Sequence, residues 1–252
     1  MGKSKIEWTD ATWNPITGCT PISEACDHCY AKRMANRLAG RYGYPKDDPF
    51  RITFHSDRIE DPIRWKKPRR IFVCSMSDIF HADVKVGWID YLLEVMSACP
   101  QHTFMLLTKR PQNIESKLYG EAPCRVLGGG DYLPNLWLGV TAESQARADE
   151  RIPVLLQIPA AVRFVSVEPV IDRVSFRWAS WVGISRNKPT DHLDGIRKLD
   201  WVIVGKETGP EARDAKPEWF HDVIDQCREA HVPVFVKKAP TGVEIIREFP
   251  TR

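Results

Sequence analysis

The sequence predicts an α/β fold: a partial or complete (βα) barrel of the TIM type, with about 6–7 parallel strands in a single domain over residues 1–252. Two observations predict it. Short apolar runs of about five residues, rich in β-branched and aromatic side chains, recur along the chain, each apolar on both faces as a strand buried between two layers is. Helical patterns, with apolar residues three and four apart, fall between them, and strand-helix alternation at roughly 30-residue intervals means βαβ units. A doubly wound open sheet is the competing arrangement.

Taken in order, a first strand is expected around Ala11–Ile16, followed by a cysteine-rich loop that runs into a helix from His28 to Leu38. The next strand is Arg70-Ile71-Phe72-Val73-Cys74, and Trp88 to Ala98 then keeps helical spacing. Thr103–Leu107 and Leu136–Val140 read as the following strands, and Ser144–Leu156 as a helix. Arg163–Val167, Asp200–Val204 and Pro233–Val236 complete the strands. The last helix, Pro217–Ala230, starts on a proline, which suits a first helical turn because that turn's N–H groups have no partner anyway. Polar loops interrupt the rhythm at Tyr119–Pro134 and Gly183–Lys198. The first holds Gly128-Gly129-Gly130, which follows no strand and lacks the Lys-Ser/Thr of a phosphate loop, so it reads as a turn.

Composition narrows the class. Hydrophobic residues make up 43% and charged residues 27%, which suits a globular domain and excludes a disordered or collagen-like chain. No apolar stretch approaches the ~18–20 residues of a membrane helix, and the start carries no apolar signal region. Seven cysteines is an odd number for a disulfide framework, so a reducing cytoplasm is expected. The formal charge of +3 hides an asymmetry: Lys32 to Arg70 holds twelve Lys/Arg against five Asp/Glu. This segment reads either as a surface for phosphates and nucleic acid or as an ordinary solvated face. Trp8, Trp13 and Trp65 stand close to it or to the cysteine loop, suited to stacking on a base or to keeping water out.

Three of the cysteines fall within eleven residues: Cys19, Cys26 and Cys29, spaced C-x6-C-x2-C. The other four, Cys74, Cys99, Cys124 and Cys227, are scattered; Cys74 and Cys99 sit in apolar runs and read as packed thiols. The triplet follows the first strand, and the carboxyl ends of parallel strands are where active sites gather. Three thiolates in one loop suit a soft metal. Zinc in a structural site wants four protein ligands, for which His28 or Cys74 would have to serve. A [4Fe–4S] cluster held by three cysteines leaves one iron open. A redox C-x-x-C without metal is the remaining reading.

These residues resemble the cluster loop of radical S-adenosylmethionine proteins. The wider pattern is similar to a three-cysteine-motif branch associated with phages and bacteria, whose function is unassigned; spore photoproduct lyase is a more distant relative. The pieces that match are Trp13-Asn14-Pro15 with Gly18-Cys19, Cys26–Ala31, Leu107-Thr108-Lys109-Arg110-Pro111, Gly139-Val140-Thr141, Val167-Glu168-Pro169, and Val204-Gly205 through Gly209-Pro210 with Arg213. The chain departs from the pattern twice. The first cysteine gap is three residues longer than the common C-x3-C-x2-C, and Gly205-Lys206-Glu207 stands where Gly-Gly-Glu is usual.

The resemblance implies a [4Fe–4S] cluster on Cys19, Cys26 and Cys29, with S-adenosylmethionine at the open iron. Its reductive cleavage would give a 5′-deoxyadenosyl radical for an unidentified substrate, with nucleic acid or a nucleotide the class the basic segment suggests. A small electron donor such as a flavodoxin or ferredoxin is the implied partner. The strand ends are polar, so Ser75, Thr108, Lys109, Arg110, Thr141, Glu143 and Glu168 are candidates for binding S-adenosylmethionine, with Lys109 and Arg110 serving its carboxylate or a substrate anion. Cys74, Lys109 and Glu207 are candidate catalytic residues, and His81 reads as a surface histidine. Two other functions stay open: a [4Fe–4S] protein without radical chemistry acting as a nucleic-acid-binding or regulatory module, and a zinc-stabilised α/β binding protein.

Overall fold

The computed structural model describes residues 4, 6–119, 132–176 and 195–251. Cys124, Gly128–Gly130 and most of the Gly183–Lys198 loop lie outside the described residues. The chain divides into two compact units, Met1–Trp137 with Pro159–Ala161, and Leu138–Ile158 with Val162–Arg252.

The first unit opens with β1 (Ala11–Trp13) and β2 (Ile16–Thr17). The single strand expected over Ala11–Ile16 is thus two, broken at Asn14-Pro15, where proline offers no N–H for a ladder. β2 pairs antiparallel with β3 (Thr53–Phe54), a two-residue ribbon too short to carry a sequence signal. Between them lies α1 (Tyr30–Arg37), which buries Ala31 and Ala35 and leaves a basic outer face. β4 (Arg70–Val73) lies parallel to β1 with Ala11 opposite Ile71 and Trp13 opposite Val73. α2 (Val86–Ala98) follows, and β5 (Thr103–Thr108) adds parallel to β4 with Ile71 opposite Phe104. α2 buries Ile89, Leu92, Leu93 and Met96, an i, i+3, i+4, i+7 stripe. Full burial of each such side chain stabilises by about 1.5–3 kcal/mol. The helix stops where Asn135 takes over its last carbonyls, the side-chain amide donating to Met96 O at 2.9 Å and Cys99 O at 3.1 Å. A short helix α3 (Ile114–Tyr119) follows β5.

The second unit holds most of β6 (Leu136–Thr141), then α4 (Gln145–Leu155), β7 (Val162–Val167), β8 (Trp201–Val204), α5 (Pro217–Ala230) and β9 (Val234–Val236). β7, β8 and β9 are parallel, with Val165 opposite Val202 and Ile203 opposite Phe235. Trp201, Phe164 and Phe235 are fully buried, the indole ring centroid 5.7 Å from Phe164 and 6.0 Å from Phe235. α5 has the bounds its sequence predicts: Pro217 occupies the first turn, and His231 ends the helix in the left-handed region at φ 59°.

Among the described residues, the parallel sheet has seven strands, with helices between them, in the order β1-β4-β5-β6-β7-β8-β9. The fold is a partial α/β barrel of the TIM type. Among the described residues, no helix is long and apolar enough to cross a membrane.

Candidate functional site

The cysteine loop is held at its root by backbone. Gly18 has φ 93°, and a Cβ built on it would lie 2.1 Å from Arg51 O and 2.7 Å from Ile52 N. Only glycine fits there, because the neighbours are main-chain atoms that cannot swing aside. Gly18 N–H donates to Met76 O at 3.0 Å, Ser77 Oγ donates to Gly18 O at 2.6 Å, and Cys19 N–H donates to Phe50 O at 3.1 Å. Cys19 is therefore fixed between the exit of β4 and the segment that leads into β3. Cys26 ends a 3-10 turn, Glu24–Cys26, and Cys29 is the N-cap of α1. All three thiols are half-buried and none is in a disulfide.

β5 delivers two cations to this loop. Lys109 Nζ lies 3.5 Å from Cys26 Sγ, and Arg110 Nη1 lies 3.4 Å from Cys19 Sγ. Arg110 also donates through Nη2 to Thr20 O at 2.7 Å and Thr20 Oγ1 at 3.1 Å. Behind the pair stands Asp78. Its Oδ1 accepts from Thr108 Oγ1 at 2.7 Å and from Phe80 N–H at 3.1 Å. Its Oδ2 accepts from Lys109 N–H at 3.0 Å and Arg110 Nη1 at 3.2 Å. Both Asp78 and Arg110 are buried. His81 is 4% exposed, a correction to its reading as a surface histidine. Its Nδ1 accepts from Asp83 N–H at 3.1 Å, so in the neutral ring Nε2 carries the proton and donates to Thr20 Oγ1 at 2.8 Å. Burial, with Arg110 nearby, lowers the His81 pKa and favours that neutral form.

The three thiols do not share one environment. Burial pushes the Cys19 thiol up, and Arg110 only partly opposes this. At Cys26, burial also raises the pKa, but Lys109 and hydrogen bonds from the backbone of Ile22 and Ser23 outweigh it, and the thiol lies below its ordinary value. Among the described residues, no three His, Cys, Asp or Glu side chains form a group that could hold a metal ion. A single zinc ion needs its ligands about 2–2.3 Å from one point. A four-iron cluster makes no such demand, since each cysteine binds a different iron. The donor chemistry here, sulfur alone with cations beside two of the sulfurs, fits an anionic iron–sulfur cluster.

The other candidates of the first unit are engaged within the fold. Ser75 Oγ donates to Asn14 Oδ1 at 3.1 Å, and Met76 N–H donates to the same oxygen at 3.1 Å. Asn14 thus ties the turn after β1 to the exit of β4. Tyr30 OH donates to Ser75 O. Thr108 Oγ1, besides donating to Asp78, accepts from Arg110 N–H at 2.9 Å. Cys74 is buried, and burial pushes its thiol up to about 12. Cys99 is buried as well. Trp8 and Trp13 are both buried, so neither stacks on a base; Trp13 Nε1 donates to Arg58 O at 2.8 Å. Trp65 is half-buried, with the Arg69 guanidinium 5.2 Å from its ring centroid.

In the second unit, Thr141 is buried, and its carbonyl accepts from Arg151 Nη1 at 2.8 Å. The same nitrogen donates to Glu143 Oε2 at 2.8 Å, an ion pair with both side chains fully out of water. Glu168, after β7, pairs with Lys237, after β9, at 2.6 Å. The tight backbone approach of Gly205-Lys206-Glu207 falls on Gly205, where a Cβ would lie 3.0 Å from Glu168 Cδ; Lys206 donates its N–H to Lys238 O at 2.8 Å. Glu207 is clamped by Arg213, accepting from its N–H and Nε at 2.8 and 2.9 Å and from Nη2 at 2.8 Å.

Asp78, Asn14 and Arg151 are polar residues of the site networks that were not among the site candidates read from the sequence, although Asn14 lies in the matching motif Trp13-Asn14-Pro15. Asp78 had a faint signal, as the third polar residue after β4 in Ser75-Met76-Ser77-Asp78. Arg151 had none, because an arginine in the middle of a polar helix pattern reads as solvated.

No curated protein matches by sequence. Among solved structures, a spore photoproduct lyase mutant has a similar fold, with TM-score 0.51 and 14% identity over 94% of this chain and 79% of the other. A family model matches residues 3–244, nearly the whole chain. The chain therefore belongs to the family DUF5131, described as a protein of unknown function.

Proposed function

We propose that this protein is a radical S-adenosylmethionine enzyme whose Cys19, Cys26 and Cys29 hold a [4Fe–4S] cluster. The observation that carries the reading is the meeting of a three-cysteine loop with two consecutive cations, Lys109 on Cys26 and Arg110 on Cys19. Cations beside cysteine sulfur favour thiolate, the form that binds iron. The fold shared with spore photoproduct lyase supports the same reading. When bound, such a cluster supplies an open iron for S-adenosylmethionine and the electron for its cleavage. The chain's own part is to fix the ligands: Gly18 sets the direction of Cys19, the N-cap position sets Cys29, and the Asp78 network sets the two cations.

A nucleic acid is the substrate class proposed. From Tyr30 to Lys46 the chain has five Lys/Arg and no acidic residue. Lys32, Arg37, Arg41 and Lys46 are exposed there, as are Tyr30 and Tyr42. Cations interleaved with exposed aromatic rings, beginning one residue after Cys29, suit a phosphate backbone with unstacked bases.

Anaerobic reconstitution followed by metal analysis tests the cluster. The reading expects about four iron and four sulfide per chain. A variant with Cys19, Cys26 and Cys29 all changed to Ala should bind neither. A colourless protein that takes up zinc alone contradicts the proposal and favours the zinc-stabilised binding protein.

A further inference from the structure

We propose that Lys109 and Arg110 set the reduction potential of the cluster, Lys109 as an ammonium acting on the Cys26 sulfur and Arg110 as a fixed hydrogen-bond donor to the Cys19 sulfur. The inference rests on the cluster reading above.

Neighbouring residues of an extended strand point to opposite sides. These two nevertheless serve one loop, because β5 ends at Thr108 and a 3-10 turn, Pro111–Asn113, follows directly. Lys109 Nζ reaches Cys26 Sγ at 3.5 Å, and Arg110 Nη1 reaches Cys19 Sγ at 3.4 Å. Two separate ligands of the same triplet thus each receive a donor from a cation. Asp78 fixes both, through the backbone N–H of Lys109 and the guanidinium of Arg110. Arg110 is further anchored to the carbonyl and hydroxyl of Thr20, the residue after Cys19. The roles differ in consequence. The charge of Arg110 is partly offset by the buried carboxylate of Asp78, and its guanidinium adds a directed N–H to Cys19. Lys109 meets Asp78 through its backbone and meets Cys26 through its ammonium.

Reduction of a cluster adds one negative charge. A cation or an N–H beside a ligand sulfur stabilises the reduced form more than the oxidised one, and hydrogen bonds to the sulfurs are among the determinants of these potentials. Removing the ammonium of Lys109 therefore makes the cluster harder to reduce.

The test is a redox titration of the full chain, reconstituted anaerobically and followed by electron paramagnetic resonance without S-adenosylmethionine. Leaving the cofactor out separates this role from any role of Lys109 toward its carboxylate. Lys109→Gln should lower the reduced-to-oxidised ratio at a fixed potential about tenfold, a fall of roughly 59 mV for one electron. Lys109→Arg should restore most of the wild-type value. Arg110→Lys keeps a charge but loses the fork, and should shift the potential less than Lys109→Gln. A Lys109→Gln protein with its cluster intact and the wild-type potential overturns the inference and leaves the cluster reading standing. A larger shift from Arg110→Lys than from Lys109→Gln overturns the assignment of the charge effect to Lys109. A wild-type protein that takes up no iron and sulfide overturns both the inference and the reading beneath it.

Discussion

Gly18 and the Arg51 carbonyl approach so closely that a Cβ on Gly18 would sit 2.1 Å from the oxygen. The residue next to a proposed ligand is thereby pinned against main chain from another segment. With φ at 93°, Gly18 also lies where a side chain is strained even in open space.

Gly18→Ala should accordingly destabilise the fold by at least about 3 kcal/mol, as strain and overlap combine. Urea unfolding checks this. Where the variant still folds, its iron uptake should be reduced, because Cys19 moves with Gly18. A variant as stable as wild type, with full iron uptake, contradicts the described loop.

Two buried ion pairs should respond alike in stability and differently in function. Asp78→Ala leaves the Arg110 charge buried without its carboxylate, at a cost of about 3–5 kcal/mol, and Glu143→Ala, which leaves Arg151 the exposed Glu150 at 4.0 Å, should cost toward the lower end of about 3–5 kcal/mol. Asp78→Ala should also impair cluster assembly, since it releases both Lys109 and Arg110. Glu143→Ala should leave iron and sulfide per folded chain unchanged. Unfolding curves paired with metal analysis of the same samples separate the two effects.

The cysteines should differ in reactivity in the reduced, metal-free chain. The thiolate is the nucleophile toward iodoacetamide. Cys26, whose thiol lies below its ordinary pKa, should be alkylated faster than Cys19, whose thiol lies above it. Lys109→Gln should slow Cys26 selectively. Cys74 and Cys227, fully buried with raised thiols, should react only on unfolding. Mass spectrometry of timed digests gives the order, and a Cys19 that reacts first goes against the account.

His55 should make stability fall in mild acid. It is buried, its Nε2 2.8 Å from Thr17 Oγ1, and burial together with Arg58 lowers its pKa to about 4. In the unfolded chain it titrates near 6.5. The unfolded state therefore binds the proton first, and His55's contribution is present above pH 6.5 and lost as pH falls from there toward about 4. Unfolding free energies between pH 7.5 and pH 4.5 should drop more for wild type than for His55→Gln. Equal slopes would falsify the assignment.

The fold was largely legible because parallel strands covered on both faces become near-continuous apolar runs, as in Trp201–Val204 and Val162–Val167. α5 was legible to the residue because Pro217 marks its start. β2 and β3 were not, since two-residue strands have no period to read. The cysteine triplet was legible as a candidate site because its three thiols are local in sequence. Its surroundings were not: Lys109 and Arg110 stood out as cations at a strand end, but the sulfurs they meet lie 83 and 91 residues away. Asp78 becomes a hub only once β4 and β5 are neighbours. His81, followed by Ala82-Asp83-Val84, reads as surface until Thr20 covers it.

The proposed radical chemistry requires that the three-cysteine loop support reductive cleavage of S-adenosylmethionine. Its most direct test is to incubate the reconstituted protein with dithionite and S-adenosylmethionine under anaerobic conditions and to quantify 5′-deoxyadenosine by chromatography. Wild type should form 5′-deoxyadenosine and methionine, and Cys19→Ala, Cys26→Ala and Cys29→Ala should each form none. A wild-type protein with a full complement of iron and sulfide that yields no 5′-deoxyadenosine would contradict the proposal, and would point instead to an iron–sulfur protein without radical chemistry.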